Sequence, residues 1–298
     1  MPWIFILLCA LGCDAPERKD ERIDVVCTTG MVADLARNIG GDRISVVGMM
    51  GPGVDPHYYK ASQGDLAKLT AADLILFNGL FLEGKMEDIF AKMARSKQVL
   101  AVAEQIPEER LLRPPEFEGN FDPHIWFDVS LWAQTIEPVV ARLSALDPDG
   151  ASVYRQNGAR YRERLDALNQ WVVEQVELLP EASRVLITAH DAFGYFGRAY
   201  GVEVVGLQGI STVADYGVND VTQLVDLIVE RQVKAIFVES SVPVRSIEAV
   251  REGCLDRGFQ VVIGGTLYSD AMGAAGSGAD TYVGMVESNV NTIVGALR

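Results

Sequence analysis

The chain has 298 residues, 49% of them hydrophobic, with 26 Lys and Arg against 41 Asp and Glu and a formal net charge of -15. That length fills two domains of ordinary size, whose cores need neither disulfides nor a metal to fold. A phosphate backbone is bound by clustered Lys and Arg, which this acidic chain lacks, so nucleic acid is excluded as a partner.

The first thirteen residues, MPWIFILLCALGC, hold an apolar run from Ile4 to Leu11. It is too short to span a bilayer and fits the core of a secretory leader. Ala10, Leu11 and Gly12 before Cys13 resemble a lipobox, in which that cysteine is acylated and becomes the mature N-terminus; a leader without lipid is the alternative. The polar stretch DAPERKDER, Asp14 to Arg22, is expected to form a flexible tether.

From Ile23, short β-branched runs alternate with helical segments: IDVVCTT, MVADLARNIG, ISVVGMM, SQGDLAKLTAA, DLILFNG, a helical stretch from Glu83 to Arg95, and VLAVA. This repeated βα pattern predicts a parallel sheet covered on both faces. Between Pro148 and Pro180, the apolar residues Tyr154, Tyr161, Leu165, Leu168, Val172, Val176 and Leu179 recur at three, four or seven, which is one stripe of a single helix. About 30 residues at ~1.5 Å each give a rod of roughly 45 Å. Gly158 costs that helix ~1 kcal/mol relative to Ala. The βα alternation restarts at RVLITA (Arg184 to Ala189) and runs through VEVVGL, a helix near Asn219 to Arg231, AIFVES, a helix near Val244 to Arg257, QVVIGG and a terminal helix with Asp280 as its N-cap. An α/β architecture of two lobes, 23–147 and 181–298, joined by a helix over 148–180, is predicted. Of the cysteines, Cys27 falls in a predicted strand of the first lobe and Cys254 in a predicted helix of the second, so two buried free thiols are expected rather than a disulfide or a metal site.

Histidine occurs three times: His57 in GPGVDPHYY, His124 in FDPHIWFD and His190 in VLITAHDAFGYF. His57 follows the second predicted strand and His190 ends the strand that opens the second lobe, while His124 lies in a loop before a helix at Phe127. Loops beyond strand C-termini bind ligands in open parallel sheets, so a cleft between the lobes is implied. Each histidine has an aspartate within two residues (Asp55, Asp122, Asp191), and a metal-bound imidazole needs its second ring nitrogen held by such a partner. The repeated Asp-Pro-His restricts the backbone ahead of two of them. Singly, each reads as a hydrogen-bonded structural residue; together, in loops of this kind, they read as metal ligands. The candidates for a fourth, carboxylate ligand are Asp191, Glu239, Asp270 and Asp280, and spacing alone leaves Glu239 and Asp270 open.

The motifs VVCTTGMVADLARNI, MGPGVDPHYY, DLILFNGLFLEGKM, FDPHIWFDVSLW, VLITAHDAFGYFGRAYG, AIFVESSVP, IGGTLYSDAMG and TYVGMV resemble the metal-specific (cluster A-I) solute-binding proteins of ABC transporters along essentially the whole mature chain. The resemblance implies two (β/α)4 domains with parallel sheets joined by one long rigid helix. It implies His57, His124 and His190 as nitrogen ligands and Asp270, of SDAMG, as the carboxylate ligand of one zinc or manganese ion. By this resemblance the ion is expected to be cargo, bound outside the cytoplasm by a monomer tethered to the membrane at Cys13 and passed to an ABC permease. No His-rich loop of the zinc-specialised subgroup separates the first two ligand motifs, and GISTVADYGVND lacks the acidic residue that many relatives carry soon after the Ser-Thr pair. Two other functions compete: a zinc hydrolase and a surface adhesin with a structural metal. Four protein ligands close a site that catalysis needs open, no HExxH or nucleophile elbow is present, and an adhesin does not require convergent ligands.

Overall fold

The computed structural model describes residues 22–117 and 119–298; the leader, Cys13 and nearly all of the tether lie outside them. Strands β1 (Ile23–Cys27), β2 (Ile44–Gly48), β3 (Leu74–Phe77) and β4 (Gln98–Ala101) form a parallel sheet in the order β2-β1-β3-β4. The central β1 and β3 are nearly continuous apolar runs because both of their faces are covered. Helix α1 (Gly30–Gly40) starts where the Thr29 hydroxyl accepts the Val32 N–H, and α2 (Gln63–Ala71) starts at a reciprocal Ser62–Asp65 capping box.

Helix α3 spans only Glu87–Met93, shorter than the Glu83 to Arg95 stretch expected. The reason lies just upstream. Gly79, Leu80 and Phe81 have φ of 85°, 54° and 71°, and a left-handed backbone cannot run into the first turns of a right-handed helix.

The chain then passes through α4 (Val129–Trp132) and α5 (Ile136–Leu146) into α6 (Ala151–Glu177), a single helix of 27 residues. At ~1.5 Å per residue it is about 40 Å long. Its stripe of Tyr154, Gly158, Tyr161, Leu165, Leu168, Val172 and Val176 is buried as expected. Gly158 has a packing reason: a Cβ there would lie 2.8 Å from Val140 Cγ2 and 3.1 Å from Ile136 Cγ2 of α5.

The second lobe repeats the winding of the first. Strands β5 (Val185–His190), β6 (Glu203–Gln208), β7 (Ala235–Glu239) and β8 (Val262–Leu267) make parallel ladders β5–β6 and β7–β8, and β5 packs beside β7. Helices α7 (Gly194–Tyr200), α8 (Val218–Arg231), α9 (Arg245–Asp256) and α10 (Tyr282–Leu297) connect and cover them. The expected cap of α10 shifts by one residue. Thr281, in extended backbone, accepts the Gly284 N–H with its hydroxyl, while Asp280 accepts the Gly276 N–H at 2.8 Å and closes the preceding loop instead. Cys27 and Cys254 are buried free thiols.

One hydrophobic core joins the lobes. It runs from Val25 and Leu74 through α1, α5 and the α6 stripe to Tyr195 and Tyr200 of α7 and Tyr282 and Met285 of α10. Smaller cores lie beneath α8 and α9 in the second lobe and beneath α2 and α3 in the first.

Candidate metal centre

Four side chains converge where the lobes face each other. His57 sits in the loop after β2, and its N–H donates to Asp55 Oδ1 at 2.8 Å. The other Asp55 oxygen accepts the Thr212 hydroxyl from the second lobe at 2.7 Å. His124 opens a 3₁₀ turn over Ile125–Phe127. Its N–H donates to Asp122 Oδ1 at 2.9 Å, and its ring Nδ1 lies 2.7 Å from the same oxygen. His190 ends β5, with its N–H donating to Glu239 Oε1 at 2.9 Å and its Nδ1 2.6 Å from Glu239 Oε2. Asp270 follows β8, and the preceding Ser269 carbonyl accepts the Trp126 indole N–H from the first lobe at 3.1 Å.

The ring Nε2 atoms all turn toward Asp270, at 3.9 Å for His57, 3.3 Å for His124 and 3.3 Å for His190. A zinc ion with donors at about 2.0–2.2 Å in a tetrahedron holds them about 3.3–3.6 Å apart, so the spacing suits one ion. One donor atom from each of the four residues lies within 4.8 Å of every other. All four residues are at most 3% exposed. The three Nε2 atoms and both Asp270 oxygens lack any hydrogen-bond partner. Buried polar atoms are almost always satisfied, so five unsatisfied ones aimed at one point mark a place for a ligand. Imidazole nitrogen and carboxylate oxygen are donors for a divalent transition metal.

The charges around the site are unequal. Burial drives His57 down to about 3, with Asp270 opposing. At His124 burial also opposes the proton, but the Asp122 and Asp270 carboxylates outweigh it and push the ring up to about 9. At His190 burial again opposes, and Glu239 with Asp270 carries the ring well above its ordinary value. Burial works against the charge on Asp270 too, yet His190 and His124 hold its carboxyl well below the usual range.

The neighbouring acids take different places around the site. Glu239 stands behind His190 rather than among the converging atoms, because β5 and β7 are adjacent and both end at this level, so its carboxylate reaches sideways to the ring and main chain of His190. Asp191 is not in the group, and its N–H turns toward Gln208 of β6. Of the aspartates beside histidines, Asp122 engages a ring nitrogen, while Asp55 uses its oxygens on the His57 main chain and on Thr212. Thr212 was not singled out by the sequence, because nothing in GISTVADYGVND marks a hydroxyl that reaches across to the other lobe. A cavity of about 390 Å³ opens beside His57 between Phe81, Lys85 and Phe117 of the first lobe and Ile210, Ser211 and Val213 of the second.

A family model described as ZnuA, zinc-uptake complex component A periplasmic, matches residues 25–296. The chain is 50% identical over 299 residues to the manganese-binding lipoprotein MntA of Bacillus subtilis (strain 168), covering 99% of this chain and 97% of that protein. It is 49% identical over 283 residues to the zinc-binding protein TroA of Treponema pallidum (strain Nichols), covering 94% and 91%. The solved structure of the periplasmic zinc-binding protein TroA from Treponema pallidum superposes with a TM-score of 0.90 at 48% identity, covering 93% of this chain and 99% of that one.

Proposed function

Because this chain belongs to the ZnuA family of periplasmic metal-uptake components and is an extracytoplasmic metal-binding protein of an ABC transport system, we propose that His57, His124, His190 and Asp270 capture one divalent transition-metal ion and hold it between the lobes for a membrane permease. The observation that carries this reading is the convergence of five buried, unsatisfied donor atoms from four residues. The donors come two from each lobe, His57 and His124 from 23–147 and His190 and Asp270 from 181–298, with 148–180 as the connecting helix. A loaded ion therefore bridges the lobes, and release to the permease requires separating donors that different lobes carry.

MntA is named for manganese and TroA for zinc, at 50% and 49% identity, and three imidazoles with one carboxylate suit either ion. The cargo is zinc or manganese, one ion per monomer. Four protein ligands leave no position for an activated water beside a general base, so the ion is transported and not used in catalysis. In this reading Cys13 carries the lipid that keeps the protein at the membrane surface.

Titration calorimetry of the wild type against His57→Ala, His124→Ala, His190→Ala and Asp270→Ala tests the assignment. Stoichiometric binding by the wild type and at least about a hundredfold loss in each variant is expected, since each deletes a direct bond to the ion. The metal-free variants should fold, because the cores do not need the ion. Wild-type affinity in any one variant removes that residue from the ligand set.

A further inference from the structure

A carboxylate with no place at the ion lies behind the first lobe's half of the site. Glu83 is 1% exposed. The Thr28 hydroxyl at 2.7 Å and the Asn78 N–H at 2.8 Å donate to its Oε1, and the Gly79 N–H donates to Oε2 at 3.1 Å. Thr28 follows β1 and Asn78 follows β3, the two central strands of the sheet. The turn that Glu83 closes contains the three consecutive left-handed residues Gly79, Leu80 and Phe81. Leu and Phe avoid that backbone, which persists only where its surroundings over-determine it. The three bonds to Glu83 supply that constraint.

Two routes lead from these residues to the site. The Asn78 Nδ2 donates at 3.0 Å to the carbonyl of Pro123, the residue before His124. The Thr28 carbonyl accepts the Met50 N–H at 2.9 Å, at the root of the loop that carries His57. Both histidines of the first lobe thus hang from residues that Glu83 holds.

We infer that Glu83 is a positioning residue for the metal site, fixing His124 through Asn78 and Pro123 and His57 through Thr28 and Met50. The inference rests on the ligand assignment proposed above. A carboxylate offers only acceptors to the three donors around it. A glutamine of the same shape turns an NH2 toward at least one of them, exchanging a hydrogen bond for a clash of donors in a buried place. The turn then relaxes, and the Asn78 amide no longer holds the Pro123 carbonyl.

The test is metal titration of the full chain as Glu83→Gln and as Asn78→Ala, with Co(II) as a spectroscopic probe of ligand geometry. Asn78→Ala keeps the main-chain bond to Glu83 and deletes the Nδ2 bonds to the Pro123 and Gly79 carbonyls, so it carries the test if Glu83→Gln does not fold. Ile228→Ala serves as the control, since it opens a cavity in the separate core under α8 and α9 and destabilises the protein away from this turn and from both routes. Zinc and manganese should bind roughly 10- to 100-fold more weakly to Glu83→Gln and Asn78→Ala, the usual cost of losing an outer partner of a ligand. Their Co(II) absorption bands should shift, while Ile228→Ala keeps the wild-type affinity and spectrum. Wild-type affinity and spectrum in Asn78→Ala, or an equal loss in Ile228→Ala, overturns the inference. If the four ligand variants lose binding while Glu83→Gln and Asn78→Ala do not, this positioning role alone fails. Retention of binding by the ligand variants overturns the site assignment itself.

Discussion

Two of the three imidazoles carry a carboxylate on Nδ1, Asp122 on His124 and Glu239 on His190, and this governs how protons compete with metal. With His124 pushed up to about 9 and His190 carried well above its ordinary value, both rings of the metal-free protein hold protons near neutral pH, and an arriving ion must displace them. Affinity should therefore rise with pH up to the His124 value and fall as pH drops, with a slope of roughly one decade per pH unit for each proton displaced. His57, at about 3, is already neutral across that range and adds nothing to the slope. Calorimetry in buffers of different ionisation heat should count one to two protons released per ion at neutral pH; binding without proton release contradicts the account. The same pairing alters how metal preference is tested. Replacing His190 by Glu alone sets a new carboxylate against Glu239, which lies 2.6 Å from the imidazole it replaces, and like charges so close repel. We expect the double variant His190→Glu with Glu239→Gln to lose zinc affinity by a larger factor than manganese affinity, because oxygen donors suit manganese and nitrogen donors suit zinc. Competition titration of both ions at one pH measures the ratio, and an unchanged ratio assigns the preference to cleft geometry.

At the level of elements, Gly158 shows how a local penalty becomes a packing requirement. A glycine inside α6 costs ~1 kcal/mol of helix propensity, so Gly158→Ala viewed in isolation stabilises. The added Cβ, however, meets Val140 and Ile136 of α5 at 2.8 and 3.1 Å, and branched side chains fixed in a core have little room to move. Overpacking of this kind costs about 1–3 kcal/mol, so the net change should be destabilising, up to about 2 kcal/mol. Thermal unfolding of the metal-free protein decides the sign, and a raised midpoint shows that α5 gives way. The late start of α3 is the converse case. The composition of Glu83 to Arg95 suits a helix, but the left-handed turn and the buried bonds to Glu83 override it at the front end.

Across the whole molecule, the lobes are held by more than the shared helix. Tyr195 donates to the Asp122 carbonyl and accepts the Leu112 N–H, Tyr282 donates to the Trp126 carbonyl, and the Trp126 indole donates to the Ser269 carbonyl. These bonds lie in one core continuous between the lobes. A wide opening would expose large aromatic surface and leave several polar groups unpaired, so metal exchange is expected to use small tilts and loop movement rather than a hinge. Small-angle scattering of metal-free and loaded protein should nearly superimpose, each with a radius of gyration near ~19 Å. A clear change in that radius on loading rules out the rigid account.

The alternation of βα units, the buried stripe of α6, the place of His57 in the loop beyond β2 and that of His190 at the end of β5 were legible in the sequence, because periodicity and position relative to a strand depend on neighbours along the chain. The choice between Glu239 and Asp270 was not, as both lie at or just beyond a strand end, and only the resemblance to known solute-binding proteins favoured Asp270. Strand order decides their places, with β7 beside β5 putting Glu239 behind His190 while the loop after β8 carries Asp270 to the converging nitrogens. The nearest aspartate in sequence is likewise not the ring's partner at His57 or His190. Which acid faces an imidazole is set by packing between strands and between lobes, and that packing has no counterpart in local spacing.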